Sequence, residues 1–222
     1  MQNKTVLITN NKGGVCKTTL SVHLAWWAAH KKYKVLLIDF DEEQANSLIW
    51  LSGKKDEHDD KGNLKQFHFD EGKIYSFPRD VHGAWMLTAV PKDKYDLVIV
   101  DTKPSQAAVS AFRPLLPLVV IPFCGRFSRI GIYDVMASCQ ALGWVPEKTL
   151  LIPIKQDGTW VQGKRDLDKA KELKGATMLD PIRHVKSVQI AEELGRPLWE
   201  LPWGGKTLFQ PRMEEILKWL KL

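Results

Sequence analysis

Residues 5–19 read Thr5-Val6-Leu7-Ile8-Thr9-Asn10-Asn11-Lys12-Gly13-Gly14-Val15-Cys16-Lys17-Thr18-Thr19. An apolar run opens the stretch, a loop with two glycines follows, and a helical pattern begins at residue 18. Strand, loop and helix in that order make a phosphate cradle. Small residues let backbone N–H groups close around phosphate oxygens, and the helix N-terminus adds positive potential. Lys17 is placed to reach β- and γ-phosphates, and the Thr18 hydroxyl to ligate Mg²⁺. The predicted nucleotide-binding set is Asn11, Lys12, Gly13, Gly14, Val15, Cys16, Lys17, Thr18 and Thr19. Lys12 is a second lysine at the front of the loop, although Lys17 already supplies the charge needed inside it. Lys12 makes sense if it points across an interface at a nucleotide held by another copy of the chain.

Further apolar runs lie at residues 34–39, 96–101, 116–122, 149–154 and 198–201. Most are short and do not alternate, the pattern of parallel strands covered on both faces. Helical stretches fall between them, at 18–30, 105–115, 130–142, 163–173, 187–194 and 211–220. The first carries Leu20, Leu24 and Trp27 on one face. This alternation predicts an α/β fold: a doubly wound, mostly parallel sheet with helices on both faces and nucleotide at the carboxyl ends of the strands. One domain over residues 1–222 is expected. Residues 52–90 are the least legible part. Their charge run at 54–61 reads as a solvated loop, with a short strand at 74–77 and a helix near 81–88.

A chain of 222 residues, 44% hydrophobic and 26% charged, suits one soluble domain with a buried core. The first residues are polar, and no run approaches the ~20 apolar residues of a membrane span, so a cytoplasmic chain is expected. Cys16, Cys124 and Cys139 are widely spaced and suggest neither a disulfide framework nor a zinc site. Cys124 near a strand end and Cys139 within a helix do not make the convergent thiolates of an iron–sulfur dimer. The net charge is +6, with 16 basic against 14 acidic residues in 1–124 and 16 against 12 in 125–222. That mild excess holds nucleic acid weakly in one copy and more usefully in a dimer. A solvated surface explains the same count.

Two acids, Asp39 and Asp41, end the run Val35-Leu36-Leu37-Ile38-Asp39-Phe40-Asp41, on the same side of the strand and one pleat apart. A second strand, Leu97-Val98-Ile99-Val100-Asp101, also ends in an acid, which would orient Mg²⁺ through a bound water. Together with the loop, these landmarks resemble the deviant Walker A ATPases of the ParA/MinD family, whose loop reads KGGxGKTT. Six of its seven defined positions agree, and Cys16 replaces the remaining glycine. Any Cβ there risks a clash or an unfavourable φ, so a nucleotide-binding variant with little turnover is a further possibility. The resemblance spans most of the chain, including Asp101-Thr102-Lys103-Pro104, where Lys103 replaces the first proline of DTPP. It also covers the IR and GxP patterns at Ile182-Arg183 and Gly195-Arg196-Pro197.

The resemblance implies a catalytic role for Asp41 beside the attacking water and a γ-phosphate contact for Asn46, which matches the MinD-like spacing. The adenine-reading Asn of the family is absent; Gln156 offers the same amide chemistry, and Pro202-Trp203 would close over the ring. Trp160 and Trp203 fall in expected loops at the nucleotide end; a core or interface place is the leading reading for them, as for the other tryptophans, and stacking on the nucleotide the lesser one. The function implied is that of a ParA-like partition ATPase using ATP and Mg²⁺. It forms an ATP-sandwich homodimer with Lys12 acting in trans, binds nonspecific DNA, and is stimulated by a ParB-like partner. A nucleoid-associated location follows. Candidate phosphate contacts on DNA are Arg183, Lys186, Arg212, Lys218 and Lys221. The alternative is a MinD-like membrane switch using the stripe Met213, Ile216, Leu217 and Leu220; a membrane partner is not the expected one. Cys16, beside Lys17 at a helix N-terminus, has two readings: an acidified, ATP-protected thiol, or a buried, inert cysteine filling a glycine's place.

Overall fold

Val, Ile and Leu fill the strands that form the middle of the sheet, and both faces of each are buried. The computed structural model describes residues 4–40, 46–52, 65–69, 72–78, 94–115, 117–143, 149–154, 168, 172–173, 175–182, 187–202 and 209–222. In chain order the elements are β1 (Lys4–Ile8), α1 (Lys17–His30), β2 (Val35–Phe40), α2 (Asn46–Ser52), β3 (Lys65–Phe69), β4 (Gly72–Pro78) and β5 (Leu97–Thr102). There follow α3 (Gln106–Phe112), β6 (Leu118–Phe123), α4 (Gly125–Ala141), β7 (Thr149–Pro153), β8 (Ala176–Met178), α5 (Val188–Leu194) and α6 (Gln210–Leu220).

Among the described residues the strands form one eight-stranded sheet, ordered β3-β4-β2-β5-β1-β6-β7-β8. Every neighbouring pair is parallel except β3 with β4. Chain connections from β1 lead to β2 on one side and those from β5 lead to β6 on the other. The loop after β1 therefore lies at a reversal of strand order, where doubly wound sheets bind ligands. The pleat sorts the side chains. Val6, Ile8, Val35 and Leu37 pack with α1 and α6, while Leu7, Leu36, Ile38 and Val100 pack with Ala108 and Phe112 of α3. Val119, Ile121 and Leu151 meet Ile132, Val135 and Cys139 of α4. Helices thus cover both faces, as the alternating pattern predicts.

Three expectations need correction. The stripe of Leu20, Leu24 and Trp27 does not define the buried face of α1. Eleven of its 14 residues are buried, among them Ser21, Val22, His23 and Trp26, whereas Trp27 is only half-buried. A helix enclosed nearly all round has no single apolar stripe. Residues 198–201 form no strand; Leu198–Glu200 is a short 3₁₀ turn. The Leu198 N–H donates to His23 Nε2 at 3.1 Å instead of to a strand. Finally, β3 and α2 fall where no regular element was expected. The expected helix at 81–88 and the charge run at 54–61 lie outside the described residues, as does nearly all of the expected helix at 163–173.

The last helix docks on the first. Met213, Ile216, Leu217 and Leu220 are buried in the core shared with α1. Trp27 Nε1 donates to Glu214 at 3.0 Å, and Lys31 lies 3.3 Å from the same carboxylate and over the Trp27 ring. The stripe considered for a membrane surface is therefore part of the domain core. Among the described residues no helix is long and apolar enough to cross a membrane.

Candidate functional site

The loop between β1 and α1 is held by its own polar atoms. Asn10 Oδ1 accepts from the Lys12 N–H at 2.9 Å, and Asn10 Nδ2 donates to the Pro122 carbonyl at 2.9 Å. One side chain thus ties the loop to the end of β6. Gly131 of α4 is required beside it, because a Cβ there would stand 2.1 Å from Asn10 Oδ1. Gly14 has φ +69°, a conformation that favours glycine. Cys16 has φ 64° and ψ 34°. The loop therefore keeps the left-handed conformation suited to the family's glycine, although cysteine occupies the position at a cost of about 1–2 kcal/mol.

Lys17 is buried, and its Nζ donates to the Lys12 carbonyl at 3.1 Å. The ammonium is folded back across the loop that it would neutralise around a phosphate. Gly13, Gly14, Val15, Cys16, Lys17 and Thr18 line a cleft of about 360 Å³ together with Asn46, Thr102, Lys103 and Pro104. The sequence-predicted Asn46 is thus brought to the phosphate loop, and Lys103 belongs to the cleft wall. Thr19 is buried, and its side chain hydrogen-bonds the Cys16 thiol. Lys12 is exposed at the front of the loop. Both amide atoms of Asn11 are buried and make no hydrogen bond among the described residues.

Asp101, at the end of β5, is buried and receives three hydroxyls. Ser47 Oγ donates to Oδ2 at 2.5 Å, Ser21 Oγ lies 3.1 Å from Oδ1, and Thr18 hydrogen-bonds the same carboxylate. Burial pushes its pKa up, and the hydroxyls of Ser47, Thr18 and Ser21 and the charge of Lys17 oppose that shift. Asp39 is equally buried, and its Oδ2 accepts the N–H groups of Ser47 at 2.8 Å and Leu48 at 3.3 Å. It therefore anchors the start of α2.

These groups fit a magnesium nucleotide. The loop conformation presents small residues to a phosphate, Lys17 supplies charge, and a hydroxyl and a carboxylate stand together as hard oxygen donors. Sequence reading missed Ser21 and Ser47. Ser21 is one helical turn beyond Lys17 on the same face of α1, and Ser47 directly follows Asn46; these were the available signals.

Other expected contacts are not gathered here. Pro202 is exposed and is not among the residues lining the cleft. Asp41, Gln156, Trp160, Arg183, Lys186 and Trp203 lie outside the described residues. Arg212 is held in ion pairs with Glu215 and Asp180 and is largely covered, contrary to its reading as a surface phosphate contact. Lys218 and Lys221 are exposed.

At the Cys16 thiol the balance runs against the acidified reading. Burial pushes its pKa up, and Cys124 reinforces the rise; the Thr19 hydrogen bond and the Lys17 charge oppose it less strongly. Loss of water outweighs the positive potential of the helix end. The expected outcome of iodoacetamide labelling at pH 7.5 is accordingly reaction slower than that of a small free thiol, with peptide mass spectrometry identifying the site. Faster labelling would show a thiolate that this loop does not support.

The model of the CobQ/CobB/MinD/ParA nucleotide-binding domain matches residues 6–198. No curated protein matches the sequence. Among solved structures, the fold is similar to that of Cyanothece McdA, an aspartate-to-alanine variant in complex with ATP, with TM-score 0.77 and 18% identity over 100% of this chain and 97% of that one. MinD of Pyrococcus horikoshii with Mg-ADP gives TM-score 0.73 and 20% identity over 97% and 96% of the two chains. A Borrelia burgdorferi protein assigned to plasmid partition, bound to AMPPNP, gives 0.69 and 18% over 99% of each.

Proposed function

The chain belongs to the CobQ/CobB/MinD/ParA nucleotide-binding family, and on that premise we propose that it is a ParA-type ATPase that positions a cargo on DNA. The observation that carries this reading is the meeting of loop residues 13–18 with Asn46 in one cleft, while Thr18 hydrogen-bonds the buried Asp101. Solved structures of the same fold hold ATP, Mg-ADP or AMPPNP. Two copies of the chain close face to face on ATP, with Lys12 of each reaching the other's nucleotide. Lys17 neutralises the β- and γ-phosphates within its own copy, and Asn46 hydrogen-bonds the γ-phosphate. Thr18 would ligate Mg²⁺ and Asp101 would orient it through a bound water; when bound, the ion would withdraw charge from the phosphates.

Asp41 is assigned to the attacking water as its base. Asp41→Ala is expected to bind ATP like the unaltered chain and to lose turnover, accumulating the ATP-bound dimer on gel filtration. Normal turnover in a partner-stimulated assay would remove Asp41 from the chemistry. A ParB-like protein is the proposed stimulator, and the nucleoid the proposed location.

Nonspecific DNA is the proposed track, supported by the net charge of +6 and by exposed Lys218 and Lys221 on the last turn and cap of α6. Binding through released counterions weakens by about 0.9 log units per log unit of salt for each phosphate neutralised. Fluorescence anisotropy with unrelated duplexes tests this. The expected result is binding that needs Mg·ATP, ignores sequence and falls steeply with salt. Equal binding without ATP, or a flat salt dependence, contradicts the partition reading.

A further inference from the structure

Ser47 joins the ends of β2 and β5 through its own hydrogen bonds. It is fully buried at the start of α2, and it reaches the buried acids Asp39 and Asp101 at once. Its backbone N–H donates to Asp39 Oδ2 at 2.8 Å, and its hydroxyl donates to Asp101 Oδ2 at 2.5 Å. Asp101 also accepts from Thr18 of the phosphate-loop helix, and the single Ser21 hydroxyl proton is shared between Asp101 Oδ1 at 3.1 Å and the Lys17 carbonyl at 2.9 Å. A continuous set of hydrogen bonds therefore runs from the phosphate-loop helix through Asp101 to α2. The neighbour of Ser47 on its N-terminal side is Asn46, which lines the cleft with Gly13, Gly14 and Lys17.

We propose that Ser47 is a positioning residue that couples the metal-orienting carboxylate of Asp101 to the γ-phosphate contact of Asn46, so that discrimination of ATP from ADP depends on the metal. This inference rests on the assignment of Mg·ATP to the cleft. The physical basis is geometric. The Ser47 hydroxyl links the first turn of α2 to the Asp101 carboxylate of β5, and Asn46 is a single peptide away. Thr18 and Asp101 would hold a magnesium ion; the Asp101 carboxylate would then take a fixed orientation, and the Ser47 bond would pass it on to Asn46. The two N–H bonds to Asp39 hold α2 in place independently of the hydroxyl, so removing the hydroxyl severs the link without releasing the helix.

Isothermal titration of the full chain with AMPPNP and with ADP, each in Mg²⁺ and in EDTA, tests the proposal. The unaltered chain is expected to favour AMPPNP over ADP by tenfold or more in Mg²⁺ and to lose most of that preference in EDTA. Ser47→Ala is expected to lose the preference in Mg²⁺ while binding both nucleotides in EDTA within about twofold of the unaltered chain. If Ser47→Ala does not fold, Ser47→Cys provides the same reading, since a thiol is a weak donor of similar shape. Asn46→Ala alone should show the same loss, and the Ser47→Ala, Asn46→Ala pair no more than either single change, because the two act as one unit. Retained preference in Ser47→Ala overturns the inference, as does an equal loss in EDTA and Mg²⁺ or simple addition in the pair. An unaltered chain that binds neither nucleotide overturns the functional reading itself, and this inference with it.

Discussion

Lys12→Ala is expected to abolish ATP-dependent dimerisation and to lower turnover by roughly 10³-fold, the scale of a cation supplied in trans to a phosphoryl transition state. The basis is the division of labour in the loop. Lys17 is buried, and its Nζ reaches only 3.1 Å to the Lys12 carbonyl, so it serves its own loop. The Lys12 side chain is exposed at the front of that loop, while its backbone is pinned by Asn10 at 2.9 Å. An exposed cation on a fixed backbone is suited to a phosphate arriving from outside. Nucleotide binding by the single copy should survive the change, because the loop N–H groups and Lys17 remain. Steady-state phosphate release and gel filtration with light scattering check both parts. A variant that dimerises and turns over normally would place Lys12 outside the mechanism.

The second large effect concerns stability in mild acid. His23 on α1 is completely buried. Its Nδ1 lies 2.7 Å from the Thr19 carbonyl, and its Nε2 accepts the Leu198 N–H at 3.1 Å. The first contact requires the proton on Nδ1, and the second requires Nε2 to be bare, so the neutral ring is specified. Trp26, Trp50, Trp199 and Phe209 surround it. Burial lowers its pKa from the ordinary 6.5 to about 4, against a smaller opposing effect of the Thr19 carbonyl. Between those values the unfolded chain binds the proton and the folded chain does not. Stability from this group is therefore complete above pH 6.5 and declines as pH falls towards 4, by about 3 kcal/mol in total. Urea unfolding from about pH 7.5 to about pH 4.5 should show that slope, and His23→Gln should flatten it. An equal slope in the variant would assign the acid sensitivity to other groups.

How much of this was legible in the sequence depends on how local each feature is. The phosphate loop could be read directly because strand, glycines, lysine and threonines are consecutive and their chemistry needs no distant partner. The central strands were legible because burial on both faces leaves an unbroken apolar run. Edge strands have no such signature. Lys65–Phe69 pairs on one side only, antiparallel to Gly72–Pro78, and Ala176–Met178 is three residues long. The reading of residues 198–201 failed for a related reason. Leu198 and Trp199 are apolar because they pack on α1, and what takes up the Leu198 N–H is a histidine 175 positions away.

Ser47 and Ser21 illustrate the same limit inside the site. They meet Asp101 across 54 and 80 positions of sequence, and a serine has no spacing that announces such a contact. At Cys16 the sequence left two readings open. The neighbouring lysine and the helix start were visible in the sequence, but the burial that dominates its thiol was not. Its backbone requirement was correctly anticipated, since the position does adopt the left-handed conformation.

The nucleotide-bridged dimer is tested most directly by the mass of the unaltered chain in solution under three conditions, by sedimentation velocity: without nucleotide, with Mg·ADP and with Mg·ATP. The expected result is a species of 25.3 kDa in the first two conditions and of twice that mass with Mg·ATP alone. A single mass in all three conditions, with ATP shown to be bound, would contradict the dimer on which the roles of Lys12 and of DNA binding depend.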